Sequence, residues 1–384
     1  MKMHRFSRQS LLECVTMHDQ TIAPERAQAT RDRADIELAI AALHPERFGM
    51  RRYREGWRKS FPGLGDVIFA PLGWQHAQCP SFDMVNGERL PMNALSFVVR
   101  LQGIVWGMPP EEVVPVNMLT VLPDTGGSVI VAYREDAGFN ADGWLGFAIA
   151  AGSRSGALFS HMLGVREEQR GNQDMGWSLK VLQGYEALRS GHRAAMWTYD
   201  PMRGANARLN IEKLGATVRE LTLDKYGSMK SDLYGDVPSD RFTAHWDLTS
   251  AATHGRLEAV RTGRYPGPSL EDILELPEIT VDNAERLARE APAEVRYRIP
   301  ADIDKLMTTN ASLAMEWRTR MRTCLAPFVT TKSARVPVDS TISPITIGTD
   351  KRLGAYDVVS FASRPADSGE RENWYVLRRR GGLA

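Results

Sequence analysis

The sequence predicts a mixed α/β fold, in which a run of antiparallel strands gives way to alternating strands and helices. Three observations predict it. Apolar runs at 128–134 and 144–150 flank a Gly/Asn/Asp cluster at 138–143, which reads as two strands joined by a loop. A third apolar run, 159–165, adds another strand. A polar, glycine-containing turn at 166–174 then leads into Met175, Leu179, Leu182, Tyr185 and Leu188, whose spacing of three and four marks one face of a helix closed by Gly191. From there strands and helices alternate, which gives a mixed sheet.

Taken in order, residues 1–90 have a hydrophobic pattern broken by Pro62, Gly63, Gly65, Pro71 and Gly73, so their fold stays open. A helix is expected over 31–43, ended by Pro45. Residues 47–59 hold six basic residues and one acid with Tyr53 and Trp57 between them. Such interleaving can grip a nucleic-acid backbone and stack bases, or form a solvated helix face with its two aromatics turned inward. Leu95, Val98, Val99, Val105 and Trp106 make a helical stripe over 93–106, which Pro109 and Pro110 end. Further along come a strand at 192–199, a short helix at 205–214 capped by Gly215, and strands at 216–223 and 242–248. Beyond an acidic, proline-punctuated connection, Leu313, Trp317, Met321 and Cys324 predict a helix over 302–325. Residues 331–350 read as a loop or linker, and 355–362 with 373–378 as a closing hairpin.

Composition bounds the class. The 384 residues allow one large domain or two ordinary ones, and 43% hydrophobic with 25% charged residues is the balance of a soluble globular chain. Forty-eight basic against forty-seven acidic residues give a net charge of +1, so no global pull toward nucleic acid or membrane is expected. Cys14, Cys79 and Cys324 are few, scattered and odd in number, which fits reduced thiols in a cytosol rather than disulfides or a zinc site, and no metal is expected. The N-terminal sequence shows no signal-peptide core, and no apolar run reaches a membrane span, so a cytoplasmic protein is expected.

The stretch 159–191 carries the chemistry. A strand feeding a polar loop that opens a helix aims backbone N–H groups and the positive end of the helix dipole at one point, where an anion such as a pyrophosphate fits. Around it stand Ser-His-Met-Leu-Gly-Val (160–165), Met-Trp-Thr-Tyr-Asp-Pro (196–201), Asn-Ala-Arg-Leu-Asn-Ile-Glu-Lys-Leu-Gly-Ala (206–216), Lys-Tyr-Gly (225–227) and Ser-Asp-Arg-Phe-Thr-Ala-His-Trp-Asp-Leu (239–248). This succession resembles the GNAT superfamily of N-acyltransferases, and within it a poorly described bacterial branch, some of whose members succinylate amino acids from succinyl-CoA. The resemblance covers roughly 93–250, with fainter echoes at 297–318 and near the C-terminus. It implies a GNAT-like, largely antiparallel sheet with a splayed central strand, flanked by helices. The implied division is an N-terminal extension over 1–90, an acyl-CoA-binding core over 91–250 and a C-terminal extension over 251–384.

The resemblance also implies a cofactor site for acetyl-CoA or another acyl-CoA. Backbone groups of Met162, Leu163, Gly164 and Val165 would pair with the pantetheine arm. The loop of Arg170, Gly171, Asn172, Gln173, Asp174, Met175 and Gly176 would hold the pyrophosphate. The family turn reads Gln/Arg-x-x-Gly-x-Gly/Ala; here Gly176 matches its last glycine, Asp174 replaces its middle glycine and Gly171 its Gln or Arg. A carboxylate at Asp174 would repel a phosphate, so it points outward or the loop takes its own shape.

Among side chains, His161 is the candidate base, since imidazole titrates near neutrality, with a satisfied strand histidine as the alternative. Asp200 could bind the acceptor ammonium, take its proton, or cap a helix beginning near Met202. The tyrosine that many family members use as general acid falls here on Ile211, which leaves Tyr226 as the substitute. Asn206 and Asn210, at spacing four, could bond the cofactor or cap a helix. Trp197 and Tyr199 share one side of a strand and either line a substrate pocket or pack in the core. Arg241 either pairs with Asp240 or binds a substrate carboxylate. The expected acceptor is a small-molecule amine such as an amino acid or a natural-product intermediate. The alternatives are an acyltransferase acting on aminoacyl-tRNA or another carrier-bound substrate, gripped through 47–59, and a non-catalytic acyl-CoA-binding protein. No membrane partner is expected, and the oligomeric state, a dimer among the options, stays open.

Overall fold

The computed structural model describes residues 33–78, 81–85, 88–137, 141–170, 174–227, 238–335, 348–365 and 371–381. A helix over 33–42 (α1) and a 3₁₀ turn at Pro45–Phe48 precede three strands, Arg51–Tyr53 (β1), Gly56–Phe61 (β2) and Gly65–Leu72 (β3). The segment 47–59 is therefore no helix face. It forms a β-hairpin, with Trp57 buried and Tyr53 under the Arg58 guanidinium, 4.1 Å from the ring centroid. Charge suits β1, because it is the edge of the main sheet and charged edges resist pairing with other chains. Gly63 and Gly65, which interrupt the apolar pattern, are turn positions with φ of 75° and 83° between two strands, not the end of structure.

Strands Ser81–Val85 (β4) and Glu88–Met92 (β5) make a separate hairpin. Helix Ala94–Trp106 (α2) starts where Asn93 Oδ1 accepts the Ser96 N–H at 2.8 Å, and it ends at Gly107, whose φ is 64°. A short helix, Val116–Val121 (α3), follows. Next come Ser128–Arg134 (β6), Trp144–Gly152 (β7) and Leu158–Val165 (β8), the helix Met175–Arg189 (α4) and the strand Ala194–Tyr199 (β9). The predicted helix at 205–214 is split into Gly204–Ala207 (α5) and a widened π turn, Arg208–Lys213, before Thr217–Thr222 (β10) and Arg241–Asp247 (β11).

In the C-terminal third, helices Ala251–Arg261 (α6), Leu270–Glu275 (α7) and Ala284–Glu290 (α8) lead to Glu294–Ile299 (β12). The single helix expected over 302–325 is two, Ile303–Thr309 (α9) and Ala311–Leu325 (α10). Asn310, at φ −155°, breaks the path and its side chain caps the second helix at Leu313 N–H. The linker expected at 331–350 begins and ends as strands, Thr330–Arg335 (β13) and Gly348–Arg352 (β14), which pair with each other. The closing hairpin is present as Tyr356–Pro365 (β15) and Arg371–Arg379 (β16).

The result is a mixed, largely antiparallel sheet in the order β1-β2-β3-β6-β7-β8-β9-β11-β10-β15-β16-β12, with parallel contacts at β8–β9 and β10–β13. Residues from both the N- and C-terminal thirds continue this one sheet. Its central strands are buried on two sides: Ile130 and Ala132 of β6 pack toward α4, Val129 and Val131 toward α2. That is why β6 and β7 read as unbroken apolar runs. Helix α4 is enclosed almost all round rather than along one stripe, since the 3₁₀ turn, β2 and the sheet cover it together. Among the described residues, no helix is long and apolar enough to cross a membrane, and no group of three or more His, Cys, Asp or Glu could hold a metal. Cys324 is buried and unpaired; Cys14 and Cys79 lie outside the described residues.

Candidate active site

The site is built where β8 leaves β9. Strand β8 pairs with β7 along its whole length, but the register slips between Ile149↔Met162 and Ala150↔Ser160, so His161 is the extra residue of a β-bulge. A bulge bends its strand and increases the local twist. Pairing with β9 accordingly covers only Leu158↔Ala195 and Phe159↔Met196, while β9 itself stays paired to β11 through Tyr199. From Ser160 to Val165, the β9-facing edge of β8 has no strand beside it among the described residues. Gly164 belongs to the same construction, because a Cβ there would fall 2.8 Å from the Phe147 ring and 3.0 Å from Val105.

At the far end of β8, Arg170 turns back. Its Nε donates to the Val165 carbonyl at 3.0 Å and its Nη2 to the Val105 carbonyl at 3.1 Å, tying the end of β8 to the end of α2. Gly171, Asn172 and Gln173 lie outside the described residues. Asp174 precedes α4 in a left-handed conformation, φ 49°, and makes no side-chain cap. Its carboxylate faces outward, accepting from Lys213 Nζ at 2.6 Å. Among the described residues, the first turn of α4 thus keeps backbone donors without a side-chain cap. Lys59 stands beside them, donating to Ser178 Oγ at 2.9 Å; burial lowers its pKa, opposed by the charge of Asp174. Met175 is buried at this turn, and Gly176 has room, since a Cβ would meet Leu163, Val165 and Leu209 only at 3.7–3.9 Å.

The side chains sort by face. Successive strand residues alternate sides, so Met196 and Thr198 share the α2 face with Phe159, whereas Ala195, Trp197 and Tyr199 point to α4. His161 lies on the α2 face, exposed to a cavity there, and surrounding protein depresses its pKa below the ordinary histidine value by desolvation. Tyr226 stands on the β9 side of the opening, its hydroxyl 2.9 Å from Thr198 Oγ1. His161 and Thr198 are each two residues past the last pair, so the structure brings the His161 and Tyr226 candidates to the two walls of one slot.

Most of the other expected site residues lie elsewhere. Asp200 is fully buried, with its oxygens taken by Arg318 at 2.8 and 3.3 Å and by the Met202 N–H at 2.9 Å. Burial alone would raise its pKa, but the Arg318 guanidinium holds it below the usual carboxylate range. It is a structural ion pair and turn cap, without a free oxygen edge for an acceptor. Trp197 and Tyr199 pack in the α4-side core, Trp197 against Trp246 and Tyr199 against Phe242, because burying a large aromatic outweighs lining an open slot. Arg241 is buried, donates to the Asp240 carbonyl at 2.9 Å and lies 5.4 Å from the Tyr226 ring. The Asp240 carboxylate pairs with Arg322 instead, at 2.7 Å. Asn206 is half-buried on α5, while Asn210 is buried in the π turn, which removes the shared helical face expected from their spacing. Ile211 is fully buried.

One residue escaped the sequence reading. Lys180 of α4 is buried beneath the fork, with its Nζ 2.7 Å from Ser160 Oγ, 3.2 Å from Gln183 Oε1 and 3.8 Å from the Trp197 ring centroid. Burial lowers its pKa to about 7. The available signal was a lysine with a glutamine three residues on, Lys180 and Gln183, between the apolar positions Leu179, Val181 and Leu182.

No family model matches this chain, and no curated protein matches it. Among solved structures, it is similar to a putative acetyltransferase of the GNAT family from Desulfovibrio desulfuricans, at 14% identity over 47% of this chain and 99% of that one, with a TM-score of 0.32. An IAA acetyltransferase from Bacillus cereus is 11% identical over 47% of this chain and 99% of its own, TM-score 0.33. A GNAT family acetyltransferase from Elizabethkingia anophelis with acetyl-CoA bound is 10% identical over 47% of this chain and 97% of its own, TM-score 0.31.

Proposed function

We propose that this protein is an acyl-CoA-dependent N-acyltransferase of the GNAT kind, acting on a small amine by direct attack. The observation that carries the reading is the early end of β8–β9 pairing, followed directly by a helix without a side-chain cap. Peptide groups along the open edge of β8 suit an extended, amide-bearing arm such as pantetheine, because an unpaired strand edge offers alternating donors and acceptors. The first turn of α4, with Lys59 and Lys213 beside it, suits the pyrophosphate. Acyl-CoA supplies an activated acyl group with a thiolate leaving group.

The chain's own groups then have defined tasks. Bound side by side in the slot, the two reactants gain mainly from proximity. The amine lone pair forms the C–N bond at the thioester carbonyl carbon, the C–S bond breaks, and its electron pair leaves with sulfur. A backbone N–H of Met162–Val165 would hold the carbonyl oxygen as negative charge develops on it. His161, neutral at pH 7 because its pKa is depressed, takes the proton that the acceptor nitrogen loses. Tyr226, whose hydroxyl bonds Thr198 Oγ1, would give a proton to sulfur from the β9 side.

Calorimetric titration with CoA and acetyl-CoA, paired with thiol detection during turnover of an amine panel, tests this. Binding should stabilise the fold by about 2.7 kcal/mol at a hundredfold excess over Kd. Absence of binding by either ligand overturns the reading, and binding without thiol release in any amine would leave a non-catalytic acyl-CoA-binding protein.

A further inference from the structure

The cavity that His161 faces has a definite chemistry of its own. Its volume is about 380 Å³, at the small end of the ~300–1,000 Å³ typical of small-molecule sites. One wall is the fork itself, Phe159 with Ala150 of the neighbouring strand; the other is α3 with the residues that flank it, Val114, Met118 and Leu122. Small residues on β7 make the room. The second wall is held in place by a buried amide: Gln102 Nε2 donates to the Val114 carbonyl at 3.1 Å while Gln102 Oε1 accepts the Val114 N–H at 2.8 Å. Such two-way pairing satisfies both buried groups and fixes the loop's distance from α2.

Two ionisable residues line this otherwise apolar space, Glu112 and His161, and among the described lining residues there is no lysine or arginine. A carboxylate entering it would find no cation and a like charge at Glu112, so burying it would be costly. An ammonium would find Glu112 as its counter-charge and His161 as its proton acceptor, while an alkyl or aryl body would cover the apolar walls. Building on the acyltransferase reading, we infer that the acceptor is a primary amine on an apolar body without a carboxylate, held by Glu112 with its nitrogen toward His161. Free amino acids are thereby disfavoured as acceptors. The site lies on the α2 face, whereas the acyl donor would run along the edge of β8, so the two ligands meet at the bulge.

Phenethylamine and phenylalanine form a matched pair that differs only in the carboxylate. Calorimetry on the full chain saturated with CoA should show phenethylamine binding at least tenfold tighter than phenylalanine. Met118→Arg, at a half-exposed position on α3, should weaken phenethylamine at least tenfold and leave CoA affinity unchanged. Glu112→Gln should weaken phenethylamine about tenfold and narrow the gap between the two ligands. Equal or reversed preference, or phenethylamine affinity untouched by Met118→Arg, overturns the inference. Loss of CoA binding in the parent protein would overturn the acyltransferase reading instead, and the two failures are read on separate ligands.

Discussion

Phe159 of β8 and Met196 of β9 are the last residues that pair across the centre of the sheet, and His161, two positions on, is the unpaired residue of a bulge. One irregularity therefore does two things. It ends the pairing that would have closed the sheet, and it presents an imidazole at the place where the opening begins.

His161→Gln should lower kcat by roughly a hundredfold or more, the usual scale for a positioned base. Because the imidazole is exposed to the cavity, CoA affinity and the melting temperature should change little. The acid limb of the kcat profile should lie below pH 6.5 in the parent, following the depressed pKa, and be absent in the variant. An unaltered pH profile would move proton transfer to solvent.

Asp174 and Lys213 form an exposed pair at the mouth of the slot. Asp174→Asn frees the lysine and removes a charge that would oppose phosphate, so CoA should bind about fivefold tighter at low salt, a gain of order 1 kcal/mol that fades at high ionic strength. Lys213→Ala should weaken it by a similar factor. Titrations at two salt concentrations decide both.

Asp200 and Arg318 are a stability pair. Arg318→Met would leave a buried carboxylate unpaired and should cost about 3–5 kcal/mol in urea unfolding, whereas Asp200→Leu with Arg318→Met should recover most of it. Retained specific activity in the folded double variant would confirm that Asp200 has no part in proton transfer.

Lys180 makes stability depend on pH. A fall in pKa from 10.5 to about 7 corresponds to roughly 5 kcal/mol of disfavoured charge. The unfolded chain binds the extra proton between pH 7 and 10.5, so this group makes the fold more stable as pH rises through that window. Lys180→Met should raise stability at pH 7 by a few kcal/mol, less the cost of leaving Ser160 and Gln183 unpaired, and should remove that part of the slope. Denaturant midpoints at pH 7 and pH 9 check it.

The legible parts were those whose signal is local. Helix α2, with its apolar stripe and the stop at Pro109 and Pro110, and the strands β6 and β7 follow from local spacing and apolar runs. The strand over 330–335 did not, since Thr-Thr-Lys-Ser carries no apolar alternation and its pairing is supplied by β10 on one side and β14 on the other. The hairpin at 51–61 was hidden because its basic residues suit an edge strand and a solvated helix equally. At the site, the strand, loop and helix were readable, but face was not: the bulge at His161 and the inward turn of Trp197 and Tyr199 depend on pairing across strands. Asp200 meets Arg318, 118 residues away, and Gln102 reaches Val114 across a loop, contacts that no spacing rule exposes.

The central claim is that the free edge of β8 and the first turn of α4 hold the acyl donor. Amide hydrogen exchange of the full chain, with and without acetyl-CoA, tests it most directly, because exchange reports each backbone N–H that gains a partner. The expected result is new protection in peptides covering 160–165 and 174–178, with β6 and β16 unchanged. Protection confined to other segments, or none in these two at saturating ligand, would contradict the account.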